Sequence, residues 1–189
     1  MRLVRLAALA SALSLAQPDA HARSPYAGEE GREIKALSAQ RIDDLRAGRG
    51  MGYALAAELN GYPGPMHVLE LADALGLDAR QRSRVSTLVA EMRAEARAAG
   101  EALIASEARL DRLFADRKAS PPALRALVQE AAAREAAVRE AHLRYHLETA
   151  ALLRPEQRER YQVLRGYATG AAGSGPRHGE HHGHRGPAH

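Results

Sequence analysis

The chain has 189 residues and a formal charge of +4, with 46% hydrophobic residues but no Cys, no Trp and one Phe. That composition excludes a disulfide framework, a thiolate zinc site and a cysteine nucleophile. The scarcity of aromatic and β-branched residues argues against a sandwich or barrel. Alanine alone accounts for 41 residues, and with Leu, Arg and Glu it points to an all-α chain.

Met1 to Ala22 read as a secretory signal. Arg2 and Arg5 precede an apolar run from Leu6 to Ala16, and Ala20-His21-Ala22 has the form of a cleavage site. The run is shorter than the roughly 20 residues that a membrane-spanning helix needs. No later segment reaches that length without charges, so a protein that is not an integral membrane protein is expected, exported to the periplasm.

Residues 23–64 read as an N-terminal arm with short helices. Ile34, Leu37, Ile42 and Leu45 suggest a helix stopped near Gly48 and Gly50. Met51 to Leu59 suggest a second, ended by Asn60-Gly61 and the turn Tyr62-Pro63-Gly64-Pro65. Pro65 then suits a first helical position, with Met66, Leu69, Ala72 and Leu75 on one face and Gly76 as the stop.

Asp78 with Gln81 three residues later has the form of a capping box, opening a helix from Ala79 to about Asp116. Val85, Leu88, Met92, Ala99, Leu103, Leu110 and Leu113 mark its apolar stripe. A rod of this length is about 57 Å long and needs a partner of similar size. Lys118 to Pro122 form a turn, and a second rod follows to about Leu152, its stripe carried by Leu124, Leu127, Ala131, Val138, Tyr145 and Leu152. The expected centre is therefore a long antiparallel helical hairpin with short flanking helices. Pro155 interrupts the pattern before a last helix to Tyr167. Residues 168–189 are rich in Gly and His and read as a disordered tail.

The segments Leu77-Asp78-Ala79-Arg80-Gln81 and Leu153-Arg154-Pro155-Glu156-Gln157 share the form L-x-x-x-Q, each where a helix begins. With the export signal, the helical pattern and the His-rich end, residues 65–167 resemble the LTxxQ motif family. This family holds the Spy/CpxP-like periplasmic chaperones and the ZraP-like and CnrX-like heavy-metal-resistance branch. The resemblance implies a hook-shaped four-helix protomer that pairs into a cradle-like homodimer. It implies either an ATP-independent envelope-stress chaperone that holds unfolded envelope proteins, or a heavy-metal sensor or buffer with a membrane-bound signalling partner. Arg154 departs from the motif, because a guanidinium has no acceptor for the first helical N–H groups. Either a loss of about 1 kcal/mol of capping is expected at that end, or a helix that continues with a kink at Pro155.

His142 and His146 stand four residues apart on the second rod, so both imidazoles share a face and suit one transition-metal ion, zinc, nickel, cobalt or copper. Two partly exposed histidines that merely solvate the face are the alternative. His67 and Glu70, three residues apart, are candidates to complete the set if the helices cross there, as are Glu91 and Glu95. His178, Glu180, His181, His182 and His184 form a second cluster in the tail, able to wrap a divalent ion while their imidazoles are neutral. The sequence contains no G-x-S-x-G, no H-E-x-x-H and no phosphate loop. Neither catalysis nor nucleic-acid binding is expected.

Overall fold

A computed structural model describes residues 24–168 of the chain. The signal segment Met1–Ala22 and the tail histidines His178, His181, His182 and His184 lie outside the described residues. Residues 24–31 belong to a separate unit made of turns; everything below concerns the unit that begins at Arg32. Its described part holds six helices and no β-strand beyond one isolated bridge, Ile34 to Leu37. The all-α expectation is met.

The first helix, α1 (Ala39–Ala47), starts at Ser38, whose hydroxyl accepts from Arg41 N at 3.1 Å. It ends at Gly48 in the left-handed region, φ 64°. Ile34 and Leu37 precede this helix in a turn rather than extending it. Two short helices follow, α2 (Leu55–Glu58) and α3 (Pro65–Glu70). The sequence pattern predicts one helical face from Met66 to Leu75, but the regular helix closes at Glu70. Residues 71–76 tighten into turns with three-residue bonds such as Gly76 N to Asp73 O at 3.0 Å. Val68, Ala72 and Leu75 stay buried, so the apolar face survives the change in winding.

The long hairpin is α4 (Ala79–Ala115) and α5 (Pro121–Leu152). Asp78 opens α4 with a complete capping box: its carboxylate accepts from Gln81 N at 2.8 Å, and Gln81 Oε1 accepts from Asp78 N at 3.2 Å. The last helix, α6 (Pro155–Leu164), has a different start. Gln157 Oε1 accepts from Arg154 N at 3.0 Å, while the return bond, Gln157 N at 3.1 Å, goes to the Arg154 main-chain carbonyl. The Arg154 side chain supplies no acceptor, so this copy keeps half of the box.

Burial is concentrated at one end of the hairpin. Ile34, Ile42, Leu45, Tyr53, Leu103, Ile104 and Val138 form one core cluster. Val68, Ala72, Leu75, Leu77, Val85, Leu153 and Tyr161 form a second. Small residues let the helices close on one another, with Ala96, Ala131, Ala141 and Ala150 all buried. Gly100 permits the tightest approach, because a Cβ there would stand 2.5 Å from Leu45 O on α1. Between Ser106 and Ala131 no residue is buried. Leu110, Leu113 and Leu127 are half-buried, and Phe114, Leu124 and Val128 are exposed. The stripe read from the sequence is thus covered only where the short helices add a third layer. Two helices alone can shield only the strip along which they touch.

Candidate metal centre

The four-residue spacing on α5 turns His142 and His146 to the same side, and both are buried, at 3% and 7% exposure. The short N-terminal helices roof this face. Together they leave a cavity of about 540 Å³ whose walls include both imidazoles, Gly64, Met51, Met66 and Met92.

The chain turn at Tyr62-Pro63-Gly64 fixes His146. Its Nδ1 lies 2.7 Å from the Tyr62 carbonyl, which makes Nδ1 the donor and leaves the Nε2 lone pair available. A Cβ at Gly64 would stand 2.9 Å from His146 Cε1 and Nε2, so glycine is what lets the ring lie against the turn. His142 is held differently. Its ring stacks on Tyr53 with centroids 6.0 Å apart and 12° between planes. It also makes a hydrogen bond to the Arg49 main chain. Its Nε2 is buried and has no hydrogen-bond partner among the described residues. Burial, and next the neighbouring His146, hold the His142 pKa below the ordinary imidazole value. His142 is therefore neutral at pH 7, with a lone pair to give.

A carboxylate lies beside this pair without being free to join it. Glu58 is 7% exposed and accepts from Tyr161 Oη at 2.5 Å and from Gly64 N at 3.2 Å. Arg165 Nε approaches to 3.5 Å, an ion pair without hydrogen-bond alignment, and His146 Nδ1 lies 3.7 Å away. Burial, then the bond to Glu58, raise the Tyr161 phenol well above its usual range. The Glu58 network braces the turn that positions His146. A matching network braces the ring under His142. Tyr53 donates to Glu135 at 2.5 Å and is held by Arg41, and its pKa is pushed up to about 12, chiefly by burial and then by Glu135.

The other sequence candidates are engaged elsewhere. His67 lines the same cavity, but its Nδ1 pairs with Glu70 Oε2 at 3.0 Å, and Glu70 does not reach the wall. Glu91 pairs with Arg84 at 3.4 Å, and Glu95 is taken by Arg144 and, at 3.0 Å, by the Tyr145 hydroxyl. Among the described residues no group of three or more His, Cys, Asp and Glu side chains is gathered to hold a metal ion. The structure brings together His142 and His146, not the four-residue set. Even so, the pair fits a soft or borderline metal ion. One nitrogen is buried and unpartnered, and the other ring is oriented from behind by the Tyr62 carbonyl.

Glu58, Tyr53, Tyr62 and Gly64 carry this arrangement, and the sequence does not single them out as site residues. Glu58 sits in Leu55-Ala-Ala-Glu-Leu59, which reads as an ordinary surface acid. The segment Pro63-Gly64-Pro65 reads as a turn, and nothing in it announces the close approach of a histidine ring.

The chain is thus an all-helical protein built on a long hairpin, with two oriented imidazoles on the wall of a cavity between its helices. A family model described as heavy-metal resistance matches residues 48–160, more than half of the chain and a span that contains both histidines and both L-x-x-x-Q motifs. The protein is a member of the heavy-metal-resistance family. No curated protein and no solved structure matches it. No described helix is long and apolar enough to cross a membrane.

Proposed function

We propose that this protein captures a transition-metal ion at His142 and His146 in the periplasm, as a buffer or as a sensor that reports to a membrane-bound partner. One observation carries the reading: His142 Nε2 is buried and unpartnered on the wall of a cavity it shares with His146. Leaving such a nitrogen without a partner costs about 1–3 kcal/mol, a cost that ligation would remove. Membership of the heavy-metal-resistance family supports the same reading. The tail histidines would serve as a looser collector, and a homodimer would offer two such sites.

Calorimetric titration with zinc, nickel, cobalt and copper tests it. The protein should bind at least one of these ions tightly, and a His142→Ala/His146→Ala variant should lose that binding. Binding unchanged by the double substitution would remove the site from consideration.

A second activity, holding unfolded envelope proteins, is favoured by the exposed Phe114, Leu124 and Val128 at the far end of the hairpin. Its test is suppression of aggregation of a denatured client. Replacing the three by Ser should abolish suppression and leave metal binding intact.

A further inference from the structure

The sequence contains four methionines, and every one after Met1 lines the cavity that holds the two histidines. They arrive from three places: Met51 from the loop after α1, Met66 from α3 and Met92 from α4. No sequence period places them together; the fold does. Met51 stands between Gly50 and Gly52 with φ 43°, in the left-handed region. A methionine is costlier there than a third glycine.

We propose that the cavity is a soft-ion site that takes copper(I) or silver(I), drawing its ligands from the imidazoles of His142 and His146 and the thioethers of Met51, Met66 and Met92 that line it. The inference rests on the metal-site reading of the histidine pair and narrows it to one class of ion. Thioether sulfur is neutral and polarisable, and it selects copper(I) over the harder divalent ions.

The charge around the site points the same way. The wall also carries Arg49, Arg93 and Arg97, and Glu58, its carboxylate, already faces Tyr161 and Arg165. Among the described residues no carboxylate on this wall is left to neutralise a divalent ion, whereas a monovalent one needs half the compensation. Met66 Sδ accepts a contact from Arg93 at 3.2 Å, which the incoming ion would displace.

The experiment is an anaerobic competition titration with copper(I), silver(I) and zinc. It uses the protein with His178, His181, His182, His184 and His189 replaced by Ser, so that the tail does not report. Copper(I) and silver(I) should bind about 100-fold or more tighter than zinc, equivalent to about 2.7 kcal/mol. A Met51→Leu/Met66→Leu/Met92→Leu variant should weaken silver(I) by about tenfold or more and leave zinc unchanged.

A second measurement needs no substitution in the cavity. With ¹³C-methyl methionine, silver(I) should shift the methyl signals of Met51, Met66 and Met92, and zinc should not. Methionine methyls that ignore silver(I), or zinc binding tighter than copper(I), overturn the proposal. If the His142→Ala/His146→Ala change abolishes binding of every ion while the leucine variant changes none, the histidine site stands and the soft-ion assignment falls. If neither variant alters any titration, both fall.

Discussion

Gln81 and Gln157, the glutamines of the two L-x-x-x-Q segments, hydrogen-bond to each other through both edges of their amides. Gln81 Nε2 donates to Gln157 Oε1 at 2.9 Å, and Gln157 Nε2 donates to Gln81 Oε1 at 3.1 Å. Each amide then spends its remaining capacity on main chain. Gln81 donates to Leu152 O at 3.1 Å, Gln157 donates to Gly76 O at 3.3 Å, and each Oε1 accepts from the N–H that precedes its own helix. The repeated motif is thus one paired lock, which ties the start of α4 to the start of α6 across the end of α5.

The lock requires an amide, since only that group both donates and accepts on one edge. A Gln157→Glu substitution keeps the shape but sets carboxylate oxygens against Gln81 Oε1, Leu75 O and Gly76 O. We expect a loss of about 3 kcal/mol at pH 7. Burial raises the carboxyl pKa, so part of the loss should return near pH 4, when the group can donate once. Urea denaturation of wild type and variant at both pH values checks this. A variant as stable as wild type at pH 7 would mean that the glutamine pair is incidental.

Gly100 makes the corresponding case for backbone approach. Mid-helix Gly→Ala ordinarily gains about 1 kcal/mol of helix propensity. Here the new Cβ would lie 2.5 Å from Leu45 O and 2.9 Å from Leu45 C, main-chain atoms that cannot swing aside. Gly100→Ala should therefore destabilise the protein by about 1–3 kcal/mol through a forced separation of α1 from α4. Thermal denaturation reads the sign directly, and a raised melting temperature would contradict the packing described.

Gly64→Ala separates site geometry from stability. Gly64 has φ −78°, which alanine accepts, so the backbone carries no penalty. The clash is with His146 Cε1 and Nε2 alone, at 2.9 Å. The ring must leave its place over the turn or lose the bond to Tyr62 O. Metal affinity should fall about 10–100-fold, the range typical of disturbing a ligand's orienting partners, while the far-ultraviolet spectrum stays that of the wild type. Unchanged affinity would show that His146 binds no metal through Nε2.

The sequence made the hairpin readable because the Asp78–Gln81 capping box, the Lys118–Pro122 turn and the apolar stripes are local signals. That His142 and His146 share one face was readable for the same reason, since four residues return a side chain to the same side. What surrounds them was not. Glu58, Met51 and the Tyr62–Gly64 turn reach the site through the path of the chain from Gly48 to Pro65, which no periodicity encodes. The reciprocal bond between Gln81 and Gln157 was likewise out of reach. Each motif announces a helix start, but only the packing of α4, α5 and α6 shows that the two starts meet.

Alkaline pH offers a test of the buried networks that does not involve metal. Tyr53, Tyr145 and Tyr161 all have phenols whose pKa is raised chiefly by burial, Tyr53 to about 12. In the unfolded chain these groups ionise near pH 10. Above that pH the folded state therefore binds more protons than the unfolded state, and stability falls as pH rises. Below pH 10 both states keep the proton and these groups contribute no slope. Lysines add little to the signal, since the chain contains only Lys35 and Lys118. Urea midpoints should hold steady from pH 8 to 9 and decline from pH 10 to 12. A Tyr53→Phe/Tyr161→Phe variant, which cannot ionise at either position, should start less stable, because Glu58 and Glu135 each lose a donor, but should decline less steeply. Parallel declines in the two proteins would mean that neither hydroxyl keeps its proton on folding.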